Sequence, residues 1–120
     1  MGNAKKLGIW MDHTIAHLME FTNEPFEVKT IESKFDPNKA LKAADVKELR
    51  KQFVYYRKIG DVIKDYYQVI LFGPTDAKQE LFDILSEDDR FVKIKLEIKE
   101  TDRMTRNQLH LFVNEYFAAS

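Results

Sequence analysis

Residues 68–85 read QVILFGPTDAKQELFDIL, a stretch in which a strand leads directly into a helix. The run VILF is entirely apolar and is typical of a central strand covered on both faces. A Gly-Pro pair ends the run, and Thr75 is placed to cap the helix that follows. We assign four residues to the inward side of this helix: Ala77, Leu81, Ile84 and Leu85. A buried strand followed at once by a helix predicts an α/β domain.

The chain before this unit predicts an antiparallel meander of three strands. Leu7 to Asp12 and Ile15 to Phe21 are apolar and rich in β-forming residues, and the short break between them predicts a tight hairpin. Glu27 to Ser33 is more polar and alternates, which is typical of a strand at a sheet edge.

Two helices and a further strand complete the pattern. Asp45 is placed to cap an amphipathic helix, and the apolar period predicts six inward residues: Val46, Leu49, Phe53, Tyr56, Ile59 and Ile63. Val92 to Lys99 alternates and predicts the opposite edge strand. Thr105 and Gln108 have the spacing of a capping box. They predict a terminal helix with five packed residues: Leu109, Phe112, Val113, Tyr116 and Phe117.

The resulting order β-β-β-α-β-α-β-α permits few topologies. Right-handed crossovers must return beside a central strand, and the two most apolar strands belong in the middle. We therefore predict a mixed five-stranded sheet of order 3-2-1-4-5 with three helices, a ribonuclease H-like three-layer α/β layout. We expect residues 1–120 to form a single domain, with Trp10, Phe112 and Phe117 largely buried.

Composition narrows the class of protein. The chain of 120 residues is 44% hydrophobic, which is enough for one ordinary core. No run approaches the roughly 18 apolar residues of a membrane helix, and Met1 to Lys6 lacks the apolar stretch of a secretory signal. The absence of cysteine excludes disulfides, thiolate nucleophiles and sulfur-ligated zinc. We expect a cytoplasmic protein with no membrane contact and no cofactor.

Charge is unevenly distributed along the chain. The net charge is only −1, yet Lys34 to Lys58 holds eight Lys or Arg against three acids. One helix face and the loop before it contain the RNA-binding candidates, with Tyr55 as a base-stacking ring: Lys34, Lys39, Lys42, Lys47, Arg50, Lys51 and Lys58. The alternative is that these side chains form an ordinary solvated helix face.

A second candidate site is the turn GPTDAK. Thr75, free helix N–H groups and Lys78 together could hold an anion, although the turn lacks the glycine-rich length of a P-loop. The alternative is a tight strand-to-helix turn in which Lys78 is simply solvated.

Metal and catalytic sites are incomplete in the sequence. Asp12 ends the first strand and Glu48 lies early in the following helix, but no acid follows the VILF strand, where a two-metal nuclease needs a further ligand. We therefore expect Asp12 to be a hairpin residue. His13 and His17 fall on a hairpin and a strand, not on a helix, so their spacing does not predict zinc. We assign no catalytic residue and no metal ligand.

Three motifs resemble one family of translation proteins. The stretch VILFGPTDAKQEL, Val69 to Leu81, resembles the strand, Gly-Pro turn and helix in the middle domain of Pelota and of archaeal and eukaryotic class one release factors. GIWMDHTIAHLMEF, Gly8 to Phe21, and TDRMTRNQLHLFVNEYF, Thr101 to Phe117, are more similar still to a bacterial group of uncharacterised release-factor-like proteins. The resemblance implies an RNA-associated domain of the translational machinery.

The release motif of that family is missing here. In true release factors a Gly-Gly-Gln loop follows the third strand and promotes peptidyl-tRNA hydrolysis, whereas here the loop reads KFDPNKALKAA, Lys34 to Ala44. It contains neither Gly nor Gln, so the resemblance does not imply peptide release.

The sequence therefore leaves three functions open. The first is a non-enzymatic domain that contacts RNA or a ribosome-associated complex through the loop and the basic helix face. The second is a protein-interaction or oligomerisation module, whose partner or second copy pairs with the sheet edge at Glu27 to Ser33 or at Val92 to Lys99. The third, weaker alternative is a metal-dependent nuclease.

Overall fold

The computed structural model describes residues 5–34 and 46–119, and its helices and strands follow the predicted order. Their bounds are β1 Lys6–Met11, β2 Ile15–Phe21, β3 Phe26–Glu32, α1 Val46–Ile63, β4 Gln68–Gly73, α2 Ala77–Ser86, β5 Lys95–Glu100 and α3 Arg106–Ala119. A short 3-10 helix, Asp89–Phe91, lies between α2 and β5. Among these helices none is long and apolar enough to cross a bilayer.

The sheet has the predicted strand order, β3-β2-β1-β4-β5. β1 pairs antiparallel with β2 and parallel with β4, so the sheet is mixed. Ile9 lies opposite Leu18 on one side and Leu71 on the other, at the centre of the most apolar strands. The prediction of a five-stranded sheet with three helices is confirmed.

Helices cover both faces of the sheet. On one face α1 and α2 pack over a core that includes Leu7, Ile9, Leu18, Ile59, Val69, Leu71 and Leu81. On the other face α3 packs over a smaller cluster made of Trp10, Met19, Ile70, Phe72, Leu109, Val113 and Phe117. The domain therefore has three layers, as the sequence predicts.

The terminal helix begins with the predicted capping box. The backbone N–H of Thr105 donates to Oε1 of Gln108 at 2.8 Å, and the Gln108 N–H donates to Oγ1 of Thr105 at 3.3 Å. Trp10 and Phe117 are buried as expected. Phe112 is only half-buried, because its ring stacks on Phe72 at the rim of the cluster, with centroids 4.2 Å apart.

The inward side predicted for α1 is partly wrong. Val46, Leu49 and Phe53 are all more than half exposed, whereas Tyr55 is 1% exposed. The exposed side and the buried side of the helix both carry large apolar residues, so the apolar period alone does not identify the buried side. The buried side holds Tyr55, Tyr56, Ile59 and Ile63, and the hydroxyl of Tyr55 donates to the carbonyl of Asp12 at 2.8 Å. The predicted cap, Asp45, lies outside the described residues.

Three smaller expectations also change. Ile84 is exposed on α2, because the helix turns Lys78 inward as well as Leu81 and Leu85. Val92 belongs to the turn after the 3-10 helix and is exposed, so β5 begins three residues later, at Lys95. The N-cap of α2 is Asp76, although Oγ1 of Thr75 still accepts the Ala77 N–H at 3.2 Å.

The packing of α3 on β1 requires a glycine. A Cβ at Gly8 would lie 2.5 Å from Cγ2 of Val113, well inside van der Waals contact. The missing side chain therefore sets how closely the helix approaches the sheet.

Gly8→Ala should lower the free energy of unfolding by about 1 to 3 kcal/mol, because the new methyl overpacks the contact with Val113. Val113→Ala removes the clashing methyls, so the double variant should be more stable than the sum of the two single losses predicts. Urea unfolding of the four proteins measures the coupling. Strictly additive losses would show that Val113 is not what excludes a side chain at Gly8.

Candidate nucleic-acid interface

Most of the described basic candidates lie along one groove. It has a volume of about 320 Å³ and runs between the end of β3 and α1. Its lining residues are Glu32, Ser33, Lys34, Arg50, Lys51, Val54, Tyr55 and Lys58. The structure thus brings Lys34 from the strand end to three cations of the helix. Residues 24 positions apart in sequence, Lys34 and Lys58, share one surface.

Lys47 extends this surface along α1. It is exposed and lies three and four residues before Arg50 and Lys51, so all three share one side of the helix. Lys39 and Lys42, the two remaining basic candidates, lie outside the described residues.

Lys51 has a structural partner that the other cations of the groove do not share. Its Nζ lies 2.8 Å from Oε2 of Glu48, whose side chain is 2% exposed. A buried carboxylate destabilises the fold without a cation beside it, so Lys51 stabilises the folded helix by compensating the charge of Glu48. The cations best placed for phosphate contacts are therefore Lys34, Lys47, Arg50 and Lys58.

The stacking role predicted for Tyr55 disagrees with its position. Its ring packs into the main core, and burial and the charge of Asp12 raise the pKa of its hydroxyl. Tyr55 is therefore a neutral hydrogen-bond donor inside the fold and has no face free for a base.

Two exposed residues of α1, which line a different groove between α1 and α2, were missed from the sequence. Phe53 was assigned to the core, yet it is 58% exposed on the outer side of α1. Arg57 is also exposed, and it lies seven residues after Arg50, two helical turns along the same side. The seven-residue spacing was the signal that could have identified Arg57.

The predicted anion site at the Gly-Pro turn does not form an open site. Lys78 is 3% exposed, and its Nζ donates to the carbonyl of Thr75 at 2.5 Å and to Oε1 of Glu100 at 2.7 Å. Lys78 therefore ties the start of α2 to the end of β5. Gly73, with φ +148°, lets this turn pass the carbonyl of Met11, which a Cβ would meet at 2.2 Å.

Asp12 has the role predicted for a hairpin residue. Its Oδ1 accepts hydrogen bonds from the Thr14 N–H, the Thr14 hydroxyl and the Ile15 N–H, at 2.8 to 2.9 Å. Burial alone raises the pKa of its carboxyl, but these hydrogen bonds and the charge of Arg103 outweigh burial. The pKa therefore lies below its ordinary value of 3.8.

Two histidines each lie beside one carboxylate. Nε2 of His13 lies 3.4 Å from Oε1 of Glu80, and Nδ1 of His17 lies 3.1 Å from Oε2 of Glu27. Across residues 5–34 and 46–119, no three histidine or acidic side chains converge as metal ligands. Neither Asp12 nor Glu48 belongs to a carboxylate cluster of the kind that two-metal cleavage needs.

Both sheet edges carry exposed lysines. β3 and β5 are the outer strands, and Lys29, Lys95 and Lys99 lie on them. Edge lysines are a common device against strand pairing between molecules. Exposed lysines on both edges therefore disfavour the edge pairing that a protein-interaction module would use.

No protein-family model and no curated protein sequence matches this chain. Solved structures do match. Pelota of Archaeoglobus fulgidus has a TM-score of 0.64 at 10% identity, over 91% of this chain and 30% of that protein. The archaeal translation termination factor aRF1 has a TM-score of 0.60 at 15% identity, over 88% and 32%.

A third match is Dom34 of S. cerevisiae, a translation termination-like factor involved in RNA quality control that interacts with Hbs1. Its TM-score is 0.62 at 16% identity, over 95% of this chain and 33% of Dom34. The fold is therefore that of a Pelota- and release-factor-like domain. The chain spans about a third of the length of these proteins.

The lowered pKa of Asp12 predicts a stability that depends on pH. Folded Asp12 releases its proton more readily than the unfolded residue, so its contribution is present at neutral pH and is lost as pH falls through the folded pKa. Asp12→Asn keeps one acceptor oxygen for the hairpin but removes the titration. The variant should therefore lose less unfolding free energy than the wild type between about pH 7 and pH 3.

Urea unfolding at a series of pH values measures this difference. Asp102→Asn, which removes an exposed carboxylate from the same end of the sheet, is the matched control, and its stability curve should run parallel to that of the wild type. Parallel stability curves for the wild type and Asp12→Asn would contradict the assignment.

Proposed function

We propose that this chain is a non-enzymatic RNA-binding domain with a translation-related role, which contacts RNA or the ribosome through the groove between β3 and α1. The observation that carries the proposal is the convergence of Lys34 with Arg50 and Lys58 on one surface, which Lys47 extends. Because the net charge is only −1, this local concentration is not a consequence of a basic chain.

Phosphate recognition fits this surface for a physical reason. Cations spaced along a helix and an adjoining strand end can each neutralise a separate phosphate, and each contact releases a condensed counterion. The apolar stems of the long side chains and the exposed Val54 give the groove a partly apolar floor. The groove therefore suits a polyanion better than a small, compact anion.

The fold shared with Pelota, Dom34 and aRF1 supports the translational setting. Within this proposal the chain is a middle-domain-like unit, with a relation to bacterial release-factor-like proteins and a cytoplasmic location. The sequence KFDPNKALKAA lacks the Gly and Gln of a release motif, so the proposed role is binding without peptide release. Ribosomes and translation proteins are the proposed partners.

Removing the phosphate contacts should weaken RNA binding and its salt dependence. In the triple variant Lys47→Gln, Arg50→Gln and Lys58→Gln, the slope of log affinity against log salt should fall by about two to three units in magnitude. Thermal stability should stay nearly unchanged, since all three side chains are exposed. Lys51 is left in place because it compensates the buried Glu48. Fluorescence anisotropy over a salt series with structured and single-stranded RNA measures both quantities.

A charge-matched control is available at the opposite edge of the sheet. Lys93, Lys95 and Lys99 are exposed, and replacing them with Gln removes the same number of charges. This control should bind RNA with the wild-type salt slope. If the wild type shows no salt-sensitive binding, or both triple variants lose it equally, the protein-interaction module becomes the better account.

A further inference from the structure

The outer side of α1 presents an aromatic ring to solvent between two arginines. Phe53 is 58% exposed, although phenylalanine is normally among the buried residues. Arg50 precedes it by three residues and Arg57 follows it by four, so both lie one turn away on the same side of the helix. The fold therefore leaves a flat apolar surface next to two planar cations.

The ring is also accessible from the side that faces α2. A second groove, of about 260 Å³, runs between α1 and α2, and Phe53, Arg57 and Ile84 contribute to its lining. Tyr56, from the same groove, is held below the surface because its hydroxyl donates to Oε1 of Glu80 at 2.5 Å. Phe53 is thus the exposed ring of this helix in the described part of the chain.

We propose that Phe53 is a stacking platform for an unpaired base of single-stranded RNA, with Arg50 and Arg57 on the adjacent phosphates. This inference rests on the proposed RNA contact and narrows its ligand to a single strand. Stacking on an aromatic ring requires a base whose face is free, and bases inside a duplex are covered by their neighbours. Arginine beside the ring adds charge attraction to the phosphates and can itself stack on a base.

Charge favours this occupant over a second copy of the chain. The outer side of α1 carries Lys47, Arg50, Arg57 and Lys58 against a single exposed acid, Asp61. Two such faces brought together would place like charges opposite each other, which is unfavourable. A polyanion that also offers flat apolar rings satisfies both features of the surface. An acidic helix of another protein would instead pack on Val46 and Leu49 as well as Phe53. Substitution of Leu49 therefore distinguishes a protein partner from a stacked base.

The experiment compares three variants on one defined probe. The probe is a short single-stranded RNA that contains one 2-aminopurine, whose fluorescence is quenched when its ring stacks. Phe53→Leu keeps an apolar side chain but removes the ring, so binding should weaken about 5- to 150-fold and the quenching should disappear. Phe53→Tyr restores a ring and should retain both. Leu49→Ala, an exposed apolar truncation one turn away, should bind and quench like the wild type.

The outcomes separate this inference from the proposed function. If the wild type binds the probe with a salt-dependent affinity but Phe53→Leu is unchanged, the stacking inference is overturned and the phosphate contact stands. If Phe53→Leu and Leu49→Ala weaken binding equally, the surface contacts RNA as a general apolar patch and the stacking inference is overturned. If the wild type binds a blunt duplex of the same sequence but not the single-stranded probe, the stacking inference is overturned and the phosphate contact stands. If it binds neither, both proposals fail. The duplex should bind equally to the wild type and Phe53→Leu.

Discussion

One side of α1 is buried in the main core, and this packing fixes the rotation of the helix about its own axis. Its buried residues include Tyr55, Tyr56, Ile59 and Ile63, and the Tyr55 hydroxyl also donates to the carbonyl of Asp12, the residue that follows β1 and opens the hairpin. Burial raises the pKa of the phenol further above its ordinary value, so the hydroxyl stays a donor. A rotation of α1 would expose these core side chains and break the hydrogen bond. The outward side of the helix, with Arg50, Phe53 and Arg57, is therefore set by the packing of its opposite side.

Features that depend on local sequence could be predicted, whereas features that depend on contacts between distant residues could not. Strand order follows from local periods and crossover rules, and the capping box of Thr105 and Gln108 is read directly from its spacing. The rotation of α1 depends on core contacts with distant residues, including a partner 43 residues away, which no local period contains. The burial of Lys78 could not be predicted for a similar reason, since the carboxylate of Glu100 lies beside it only when β5 pairs with β4.

The fold is supported by solved structures, whereas the proposed function is supported by the side chains of this chain. At 10 to 16% identity, the likeness to Pelota, aRF1 and Dom34 shows a shared architecture. The binding proposal comes instead from this chain's own side chains, since Lys34, Arg50 and Lys58 meet where the strand ends beside the helix.

The central claim is that the outer side of α1 contacts RNA. Ultraviolet crosslinking of the full chain to RNA in cells, followed by mass-spectrometric mapping of the crosslinked peptides, tests it most directly, because the map needs no prior choice of ligand. The account predicts crosslinks concentrated in peptides from Val46–Ile63, with few in β5 or α3. Crosslinks confined to β5 and α3, or no RNA crosslink at all, would contradict it.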